Sequence, residues 1–403
     1  MELLPRTGAA AFFVFFRLKL QQDHAIFGKT NLHTHERPAQ KMKSIFRVMI
    51  LFSVMLFLSA CTFDQEYSVI FLGDTHFDGA DEKYHPAGIS KARNRDTEMW
   101  KERLPEMMKA ANQQATADTA FVLQAGDMVE GGSGTAAAQK NMLEDGYKTL
   151  QSFFSVPLLT VAGNHDVSSR VLKDEPSART VYKNFAQEYV LPAINRIKGV
   201  SDVRAADSDF AFRYGKDLYM IIDFNSGYRG AEFIRKALEE NADARYKIVL
   251  CHAGPIPWDY NWMPGWRLYG TRNAKQQEML ELFQKYNCVF LVGHIHAIAA
   301  LEYTTAKGSI HQIMGNCVWL PWDKKPIKIT PDDPANYGRE LLKGRNQQAM
   351  TELVDQFKPG IKKNFLADGA GYMTLQINND NITVKYFNHA DTEPAYTFRV
   401  FGK

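Results

Sequence analysis

Short apolar runs alternate with longer segments of helical periodicity over most of this 403-residue chain. Apolar runs of roughly four to eight residues between turn residues predict buried strands, and the segments between them predict helices. The alternation is typical of an α/β domain with largely parallel strands. The predicted strands are Tyr67–Leu72, Ala120–Ala125, Val156–Ala162, Leu218–Phe224, Lys247–Cys251, Val289–Val292 and Ile310–Met314. The predicted helices are roughly residues 92–115, 135–154, 178–197, 231–241 and 273–286.

The C-terminal part of the chain has a different pattern. Two apolar runs, residues 372–377 and 382–387, flank the turn sequence Asn-Asn-Asp-Asn and predict a β-hairpin. A last run, residues 396–401, predicts a further strand. We expect these strands to close the edge of a second sheet. The polar segment before them predicts a helix at roughly residues 338–357 that covers a sheet face.

Residues 42–60 have the pattern of a secretory signal. A basic start with Lys43 and Arg47 precedes the apolar run 48–58, which a single Ser interrupts. A transmembrane helix needs about 20 apolar residues, so this run is short for one. The ending Leu-Ser-Ala-Cys resembles a bacterial lipobox, and this resemblance implies that Cys61 is diacylated and begins the mature protein. A buried helix and a retained membrane anchor stay open as alternatives.

The lipobox also sets the predicted division of the chain. Met42 would be the native start, and residues 1–41 would be an upstream extension that is not native. We expect an exported protein that is lipid-anchored in the bacterial cell envelope, at the outer membrane or the periplasmic face. The predicted parts are the extension 1–41, the signal peptide 42–60 and one domain 61–403, which comprises a motif core 67–325, a helical insert 326–366 and C-terminal strands 367–403.

Charge is unevenly distributed along the chain. The formal net charge is +3, but residues 1–60 carry eight Lys and Arg against three Asp and Glu. The remainder therefore has 40 basic and 42 acidic residues, a net charge of −2. An extended nucleic acid needs a basic binding surface, so we expect no extended nucleic-acid binding by the mature domain.

Polar side chains suited to transition metals follow five of the predicted strands. Each apolar run stops at a Gly or a turn, and carboxylate, amide or imidazole groups come next. Open α/β sheets place their active sites at the carboxyl ends of strands. Five of the eight His residues after residue 60 lie in these motifs. The motifs are Gly73-Asp74-Thr75-His76, Gly126-Asp127-Met128-Val129-Glu130, Gly163-Asn164-His165-Asp166, Cys251-His252 and Gly293-His294-Ile295-His296.

In this order the five motifs resemble the signature of calcineurin-like metallophosphoesterases, over about residues 67–325. The resemblance implies a four-layer α/β/β/α sandwich of two mixed sheets flanked by helices. It also implies a dinuclear centre of two divalent ions (Mn, Fe or Zn) with a bridging hydroxide that attacks phosphorus. In the implied ligand set, Asp74, His76 and His296 bind one ion, Asn164, His252 and His294 bind the other, and Asp127 bridges both.

The resemblance implies catalytic roles for two further residues. His165 would donate a proton to the leaving group or to a phosphoryl oxygen. Asp166 would hold the His165 ring through a second hydrogen bond. A purely structural role stays open for each. Arg93 and Arg95 could reach a bound phosphate, since arginine side chains pair well with phosphate groups. We favour the alternative that both lie on a solvated helix face.

A loop rich in aromatic residues begins at the proposed ligand His252. Gly and Pro residues make residues 252–270 a loop, and loops on a rigid scaffold commonly determine specificity. Its aromatic rings could stack on a nucleobase or a sugar, or could pack the loop onto the domain. The candidate substrate-binding residues are Trp258, Tyr260, Trp262 and Trp266.

The sequence thus predicts a metal-dependent phosphoric-ester hydrolase that acts on a small substrate, with nucleotides among the candidates. Phosphodiesterase and phosphomonoesterase activity both stay open. Glu130 stands where purple acid phosphatases have Tyr, and the Asp-Arg-Gly form of protein Ser/Thr phosphatases is lacking. The alternatives are a catalytically inactive envelope lipoprotein that keeps a metal site and a metal-dependent nuclease.

Overall fold

The structure is a computed structural model that describes residues 66–167, 176–223, 230–259, 274–318, 329–330, 333–367 and 369–401. These residues form two mixed β-sheets flanked by helices, which confirms the predicted fold class. The strands are β1 (Tyr67–Leu72), β2 (Thr119–Gln124), β3 (Leu158–Thr160), β4 (Val200–Ala206), β5 (Asp209–Tyr214), β6 (Asp217–Ile221), β7 (Lys247–Leu250), β8 (Val289–Val292), β9 (Ile298–Thr305), β10 (Gly308–Met314), β11 (Ile329–Thr330), β12 (Ile361–Ala367), β13 (Gly371–Ile377), β14 (Ile382–Asn388) and β15 (Tyr396–Arg399).

The two sheets have six and nine strands among the described residues. The first has the order β15-β14-β13-β1-β2-β3, and the second has the order β11-β12-β9-β10-β8-β7-β6-β5-β4. β1, β2 and β3 are parallel to one another, as are β6, β7, β8 and β10. All residues of β1, β7 and β8 are buried, as expected for strands covered on both faces. The parallel strands of each sheet therefore end at a common edge.

The helices lie between these strands in the chain. They are α1 (Asn94–Glu102), α2 (Leu104–Gln113), α3 (Ala136–Gln151), α4 (Ala178–Phe185), a π-helical turn (Ala186–Val190), α5 (Leu191–Arg196), α6 (Ala231–Glu240), α7 (Ala274–Lys285) and α8 (Gln347–Phe357). The single helix predicted at roughly residues 92–115 is in fact α1 and α2. Pro105 lies in the first turn of α2, and a proline ring clashes with the preceding turn of a helix.

The C-terminal hairpin is confirmed, but its predicted position is wrong. β13 and β14 are joined by a turn in which the Asn378 side chain accepts the N–H groups of Asp380 and Asn381 at 3.0 and 2.9 Å. β13 pairs antiparallel with β1, so Val69 lies opposite Leu375. The C-terminal strands therefore extend the sheet that contains the first predicted strands. β2 pairs with one edge of β1, and β13 pairs with the other edge.

The helix predicted at roughly residues 338–357 is shorter than expected. α8 begins after Asn346, whose side chain accepts the N–H of Ala349. Its last residue, Phe357, packs against Tyr303 of β9 with ring centroids 5.4 Å apart. Both residues belong to one buried apolar cluster. The helix therefore covers a face of the nine-stranded sheet.

The predicted extension, the signal peptide and Cys61 lie outside the described residues, so they stay predictions. Among the helices that are described, none combines the length and the apolar character needed to span a membrane.

Candidate metal centre

The five predicted motifs meet at one edge of the sandwich. Each follows a strand at its carboxyl end: β1, β2 and β3 in the first sheet, and β7 and β8 in the second. The Asp74 carboxylate after β1 accepts the backbone N–H of His294 after β8 at 2.9 Å, so this contact joins the two sheets. All seven candidate ligands lie in one cluster around this contact. They are Asp74, His76, Asp127, Asn164, His252, His294 and His296.

One half of the cluster contains Asp74, His76 and His296. The His76 and His296 Nε2 atoms are 3.1 Å apart, and the latter atom is 3.2 Å from Asp74 Oδ2. Ligand atoms at about 2.1 Å from a shared ion lie roughly 3.0 Å apart at octahedral angles and roughly 3.4 Å apart at tetrahedral angles. The spacing of these three side chains therefore suits one metal ion.

The other half contains Asn164, His252 and His294. His252 Nε2 lies 3.1 Å from both His294 Nδ1 and Asn164 Oδ1. The same atom is 3.3 Å from Asp127 Oδ2, which is also 3.8 Å from His76 Nε2. Asp127 thus lies between the two halves. One of its carboxylate oxygens is within reach of an ion in either half.

The hydrogen bonds of two histidines show that the cluster suits cations. His252 Nδ1 is 2.8 Å from the Ala125 carbonyl, which can only accept, so this nitrogen carries a proton. His76 Nδ1 likewise donates to the Glu130 carboxylate at 2.6 Å. In a neutral ring, Nε2 then presents a lone pair. Ring nitrogens 3.1 Å apart repel one another unless a proton or a metal ion lies between them.

The buried carboxylates of the cluster also indicate that it suits cations. Asp74 and Asp127 are 0% and 1% exposed, and a buried carboxylate is costly unless it is paired with a cation. Burial alone would raise the pKa of Asp127, but the neighbouring His252 and His165 outweigh burial and hold it well below its usual value. Burial alone would lower the pKa of His252, but the Asp127 and Asp74 carboxylates raise it to about 9. A divalent ion would displace such a proton from the ring.

The backbone of the cluster is strained where it presents ligands. His76, Asp127, His294 and His296 have φ angles of 45°, 48°, 81° and 50°. Residues with a side chain rarely adopt this left-handed region, and strain of this kind is concentrated at functional sites. Gly163 permits a close approach nearby, because a Cβ there would lie 2.0 Å from the backbone nitrogen of Asp127. The fold therefore maintains these strained turns at the edge of the sandwich.

His165 lies beside the cluster, but Asp166 does not hold its ring. His165 Nδ1 is 2.7 Å from the Glu130 carbonyl oxygen and donates to it. The Asp166 carboxylate instead accepts the backbone N–H groups of Gly163 and Val129 at 2.7 and 3.0 Å. We therefore correct the expected contact, since two backbone donors occupy this buried carboxylate. The Asp166 carboxylate thus links the turn after β2 to the turn after β3. The Glu130 carbonyl orients the His165 ring.

The sequence places Glu130 in the second motif but does not predict a role for it in the site. Its carboxylate accepts from His76 at 2.6 Å and pairs with Arg93 Nη1 at 2.8 Å. Burial alone would raise the pKa of Glu130, but the hydrogen bond and charge of His76, with the charges of His165 and Arg93, lower it to about 2. A carboxylate behind a histidine fixes its tautomer and makes it a better ligand. The half-exposed Arg93 is thus anchored at the site and is more than a solvated helix residue.

Trp258 is the one candidate aromatic residue of the loop that lies in the described part of the structure. It is 5% exposed and belongs to the apolar core of the nine-stranded sheet. The Tyr337 hydroxyl donates to the neighbouring Pro257 carbonyl at 2.7 Å, and this hydrogen bond links residues 333–367 to the start of the loop. This burial favours packing over substrate stacking for Trp258. Tyr260, Trp262 and Trp266 lie outside the described residues.

Replacement of Glu130 by Gln should weaken Zn²⁺ binding to the purified protein by about 10- to 100-fold. The amide keeps the size of the side chain, but it lacks the negative charge that pairs with His76 and Arg93. A competitive titration with a zinc indicator measures the change. Glu82→Gln, at an exposed position, is the matched control. An unchanged dissociation constant in Glu130→Gln would show that this carboxylate does not support the ligand.

The comparisons with known proteins are consistent with this geometry. The family model for calcineurin-like phosphoesterases matches residues 67–297, so the chain belongs to the calcineurin-like phosphoesterase family. A comparison with curated protein sequences gives no match. Membership in this family implies divalent metal ions, and the chain has His and Asp groups that can bind them.

Several solved structures are similar to the chain at low identity. Purple acid phosphatase PPD1 from yellow lupin (Lupinus luteus) seeds is 14% identical with a TM-score of 0.47, over 84% of this chain and 54% of that one. The chain therefore spans about half the length of the lupin protein. PhoD is 12% identical with a TM-score of 0.48, over 83% and 68% of the two chains. GAP50, the anchor in the inner membrane complex of Plasmodium, is 13% identical with a TM-score of 0.46, over 84% and 89%.

Proposed function

We propose that the protein is a phosphoester hydrolase that uses two divalent metal ions. The position of Asp127 between two groups of metal-ligating side chains is the observation that carries this proposal. A single ion would use one group and leave the other as a set of converging lone pairs and buried charge. Two ions would use both groups and share the Asp127 carboxylate.

The distances within each group support the proposed ligand set. Asp74, His76 and His296 would hold one ion, and Asn164, His252 and His294 would hold the other. Bound divalent ions in such a pair supply Lewis-acid activation and neutralise charge on phosphoryl oxygens. Mn, Fe and Zn all bind imidazole and carboxylate ligands, so this ligand set leaves the metal open.

The chain's own residues would position the substrate and move the proton. Because the Glu130 carbonyl takes His165 Nδ1–H, Nε2 is the ring nitrogen left to exchange a proton with the leaving group. The His165 side chain is 29% exposed, so a substrate can reach it from solvent. Arg93 Nη1 is held by Glu130 and is half-exposed, which would place a cation beside the negatively charged phosphoester.

A small phosphoester is the proposed substrate, with both monoesters and diesters as candidates. The net charge of −2 for the part of the chain after residue 60 does not favour an extended polyanion. The cluster has all seven ligands of the implied set, which favours catalysis over an inactive scaffold.

The test is a substrate panel assayed with chelator-treated protein and with protein reconstituted with Mn²⁺, Zn²⁺ or Fe²⁺. The panel contains phosphomonoesters, cyclic nucleotides, dinucleotides and phospholipids. We expect no hydrolysis after chelation and restored hydrolysis of at least one small ester with a metal. Hydrolysis that survives chelation would contradict metal dependence, and no hydrolysis with any metal would favour the inactive lipoprotein. Selective cleavage of long polynucleotides would favour the nuclease.

We further propose that the protein is anchored in a bacterial cell envelope through lipidated Cys61. The lipobox-like residues 58–61 after a basic and apolar segment support this proposal. Cys61→Ser should move the protein from the membrane fraction to the soluble fraction of an expressing bacterium. Thr62→Ser, which changes the next residue and keeps the thiol, should remain in the membrane fraction. Continued membrane association of Cys61→Ser would contradict lipid anchoring.

A further inference from the structure

A cavity of about 460 Å³ lies between the two sheets at the end that contains the C-terminal strands. One wall is formed by β9, β10 and β12 of the nine-stranded sheet, and the other is formed by β14 and β15 of the six-stranded sheet. Among the described residues, those that line the cavity are separate from the candidate metal ligands. Ligand pockets in proteins typically measure about 300–1,000 Å³, so this cavity is large enough for a small organic molecule.

The buried His311 lines this cavity from β10. The residue is 6% exposed, and the described part of the chain provides no hydrogen-bond partner for either of its ring nitrogens. Its ring packs edge-on against Phe401 at 4.6 Å between centroids. Burial lowers the pKa of His311 to about 4, which leaves the ring neutral with one donor and one acceptor. The His311 nitrogens are not among the fully buried, unpaired polar atoms of the described residues, so they open into the cavity, where a ligand can hydrogen-bond to them.

Aromatic side chains from both sheets line the cavity. Phe365 of β12 and Tyr396 of β15 stack with centroids 4.4 Å apart and an angle of 6° between their planes. Phe398 lies next to them, 6.2 Å from Phe365. Flat aromatic surfaces of this kind favour a flat apolar ligand, because rings bind one another in offset stacks or edge-to-face.

Charged side chains are also present along the cavity. Arg399 is an exposed residue of β15 that lines the cavity. Lys363 faces the same space and pairs with Glu302 at 3.6 Å, and Glu302 also accepts the Thr304 hydroxyl at 3.1 Å. Arg399 suits an anionic group on the ligand, because a guanidinium pairs with a carboxylate through two hydrogen bonds.

We propose that this cavity binds a small aromatic carboxylate that has a polar atom at the end opposite its carboxylate. The apolar body would lie against Phe365 and Tyr396, and the carboxylate would pair with Arg399. The polar atom at the other end would complete the hydrogen bonding of His311. This is a second site, independent of the metal centre and of the hydrolysis proposed there.

Fluorescence titration with 6-hydroxy-2-naphthoate tests the proposal, because this probe has a hydroxyl and a carboxylate at opposite ends of a flat body. We expect saturable binding of one molecule per chain. 2-Naphthoate lacks the hydroxyl and should bind about tenfold more weakly, as one lost hydrogen bond predicts. 6-(Hydroxymethyl)-2-naphthol lacks the carboxylate and should bind more weakly by about tenfold or more.

Three variants assign the binding to this cavity. Ala300→Trp fills it from β9 and should remove binding, while circular dichroism and phosphoester hydrolysis stay unchanged. Arg399→Gln should weaken binding of the carboxylate probe by about tenfold, and Arg345→Gln at another exposed position should not. His311→Phe keeps a ring of similar shape and should make the hydroxylated and unsubstituted naphthoates bind equally.

Two results would overturn the proposal. One is the absence of saturable binding of 6-hydroxy-2-naphthoate at concentrations up to about 1 mM, which corresponds to a very weak complex. The other is binding that is the same in the wild type, Ala300→Trp and Arg399→Gln. Arg399→Gln changes an exposed side chain, so this comparison stands even if Ala300→Trp does not fold.

Discussion

Replacement of Asp127 by Asn should reduce phosphoester hydrolysis by at least about 10³-fold, which corresponds to roughly 4 kcal/mol of transition-state stabilisation. Asp127 is 1% exposed and lies between the two halves of the candidate metal centre, where we propose that it is shared by two ions. The amide has one oxygen and no charge, so it cannot serve two ions. The backbone N–H of His165 donates to Asp127 Oδ1 at 2.7 Å, and the amide oxygen of Asn can accept the same hydrogen bond. The fold should therefore persist.

The measurement combines initial rates on the best substrate of the panel with circular dichroism and the thermal midpoint. Asp355→Asn makes the same chemical change at an exposed position of α8 and should retain full activity. Activity of Asp127→Asn within tenfold of the wild type would show that no shared carboxylate is needed. Loss of activity with loss of the circular dichroism spectrum would assign the effect to folding.

Replacement of His165 by Ala should lower turnover by about 10²- to 10⁴-fold for esters with alkyl leaving groups, the usual range for a lost general acid. For p-nitrophenyl esters the loss should be about tenfold or less, because p-nitrophenolate leaves without protonation. The structural basis is that the Glu130 carbonyl holds His165 Nδ1, which leaves Nε2 for the substrate. The metal ligands are unchanged in this variant.

The dependence of rate on leaving-group pKa measures this effect. A series of substituted phenyl and alkyl phosphoesters should give a steeper slope for His165→Ala than for the wild type. Metal content should be equal in the two proteins, which separates proton transfer from metal binding. An equal loss of rate for all leaving groups would indicate that His165 positions the substrate or the ligand turn and donates no proton.

The side chains of the five sequence motifs lie together in the structure because the signal for each motif is local. Each ligand follows a buried apolar run, and the parallel strands of each sheet end at one edge, so residues such as Asp74 and His294 meet although 220 positions separate them. The alternation of strands and helices likewise predicted the fold class.

Contacts that depend on side-chain direction were not predictable in this way. Glu130 is close in sequence to the ligand Asp127, but the pattern does not show whether its carboxylate faces His76 or solvent. The same limit applies to Asp166, which bonds backbone groups, and to Trp258, which packs in the core. These outcomes depend on the turns in which the residues lie, and on segments that fold over them from distant parts of the chain.

Some strands were also missed because their patterns are mixed. β4 lies at an edge of the nine-stranded sheet, and most of its residues are partly or fully exposed, so it lacks an apolar run. β9 and β12 contain exposed or half-exposed polar residues between buried ones. Glu302 and Lys363, on these two strands, line the cavity between the two sheets.

The most direct test of the metal centre is the activity of metal-free protein as Zn²⁺ or Mn²⁺ is added in known equivalents, with bound metal measured by mass spectrometry. We expect two ions per chain in the wild type and hydrolysis that rises with the second equivalent. Asp127→Asn should not reach the activity of the doubly loaded protein. Full hydrolysis with one ion per chain, or two bound ions without hydrolysis of any ester in the panel, would contradict the proposed dinuclear phosphoester hydrolase.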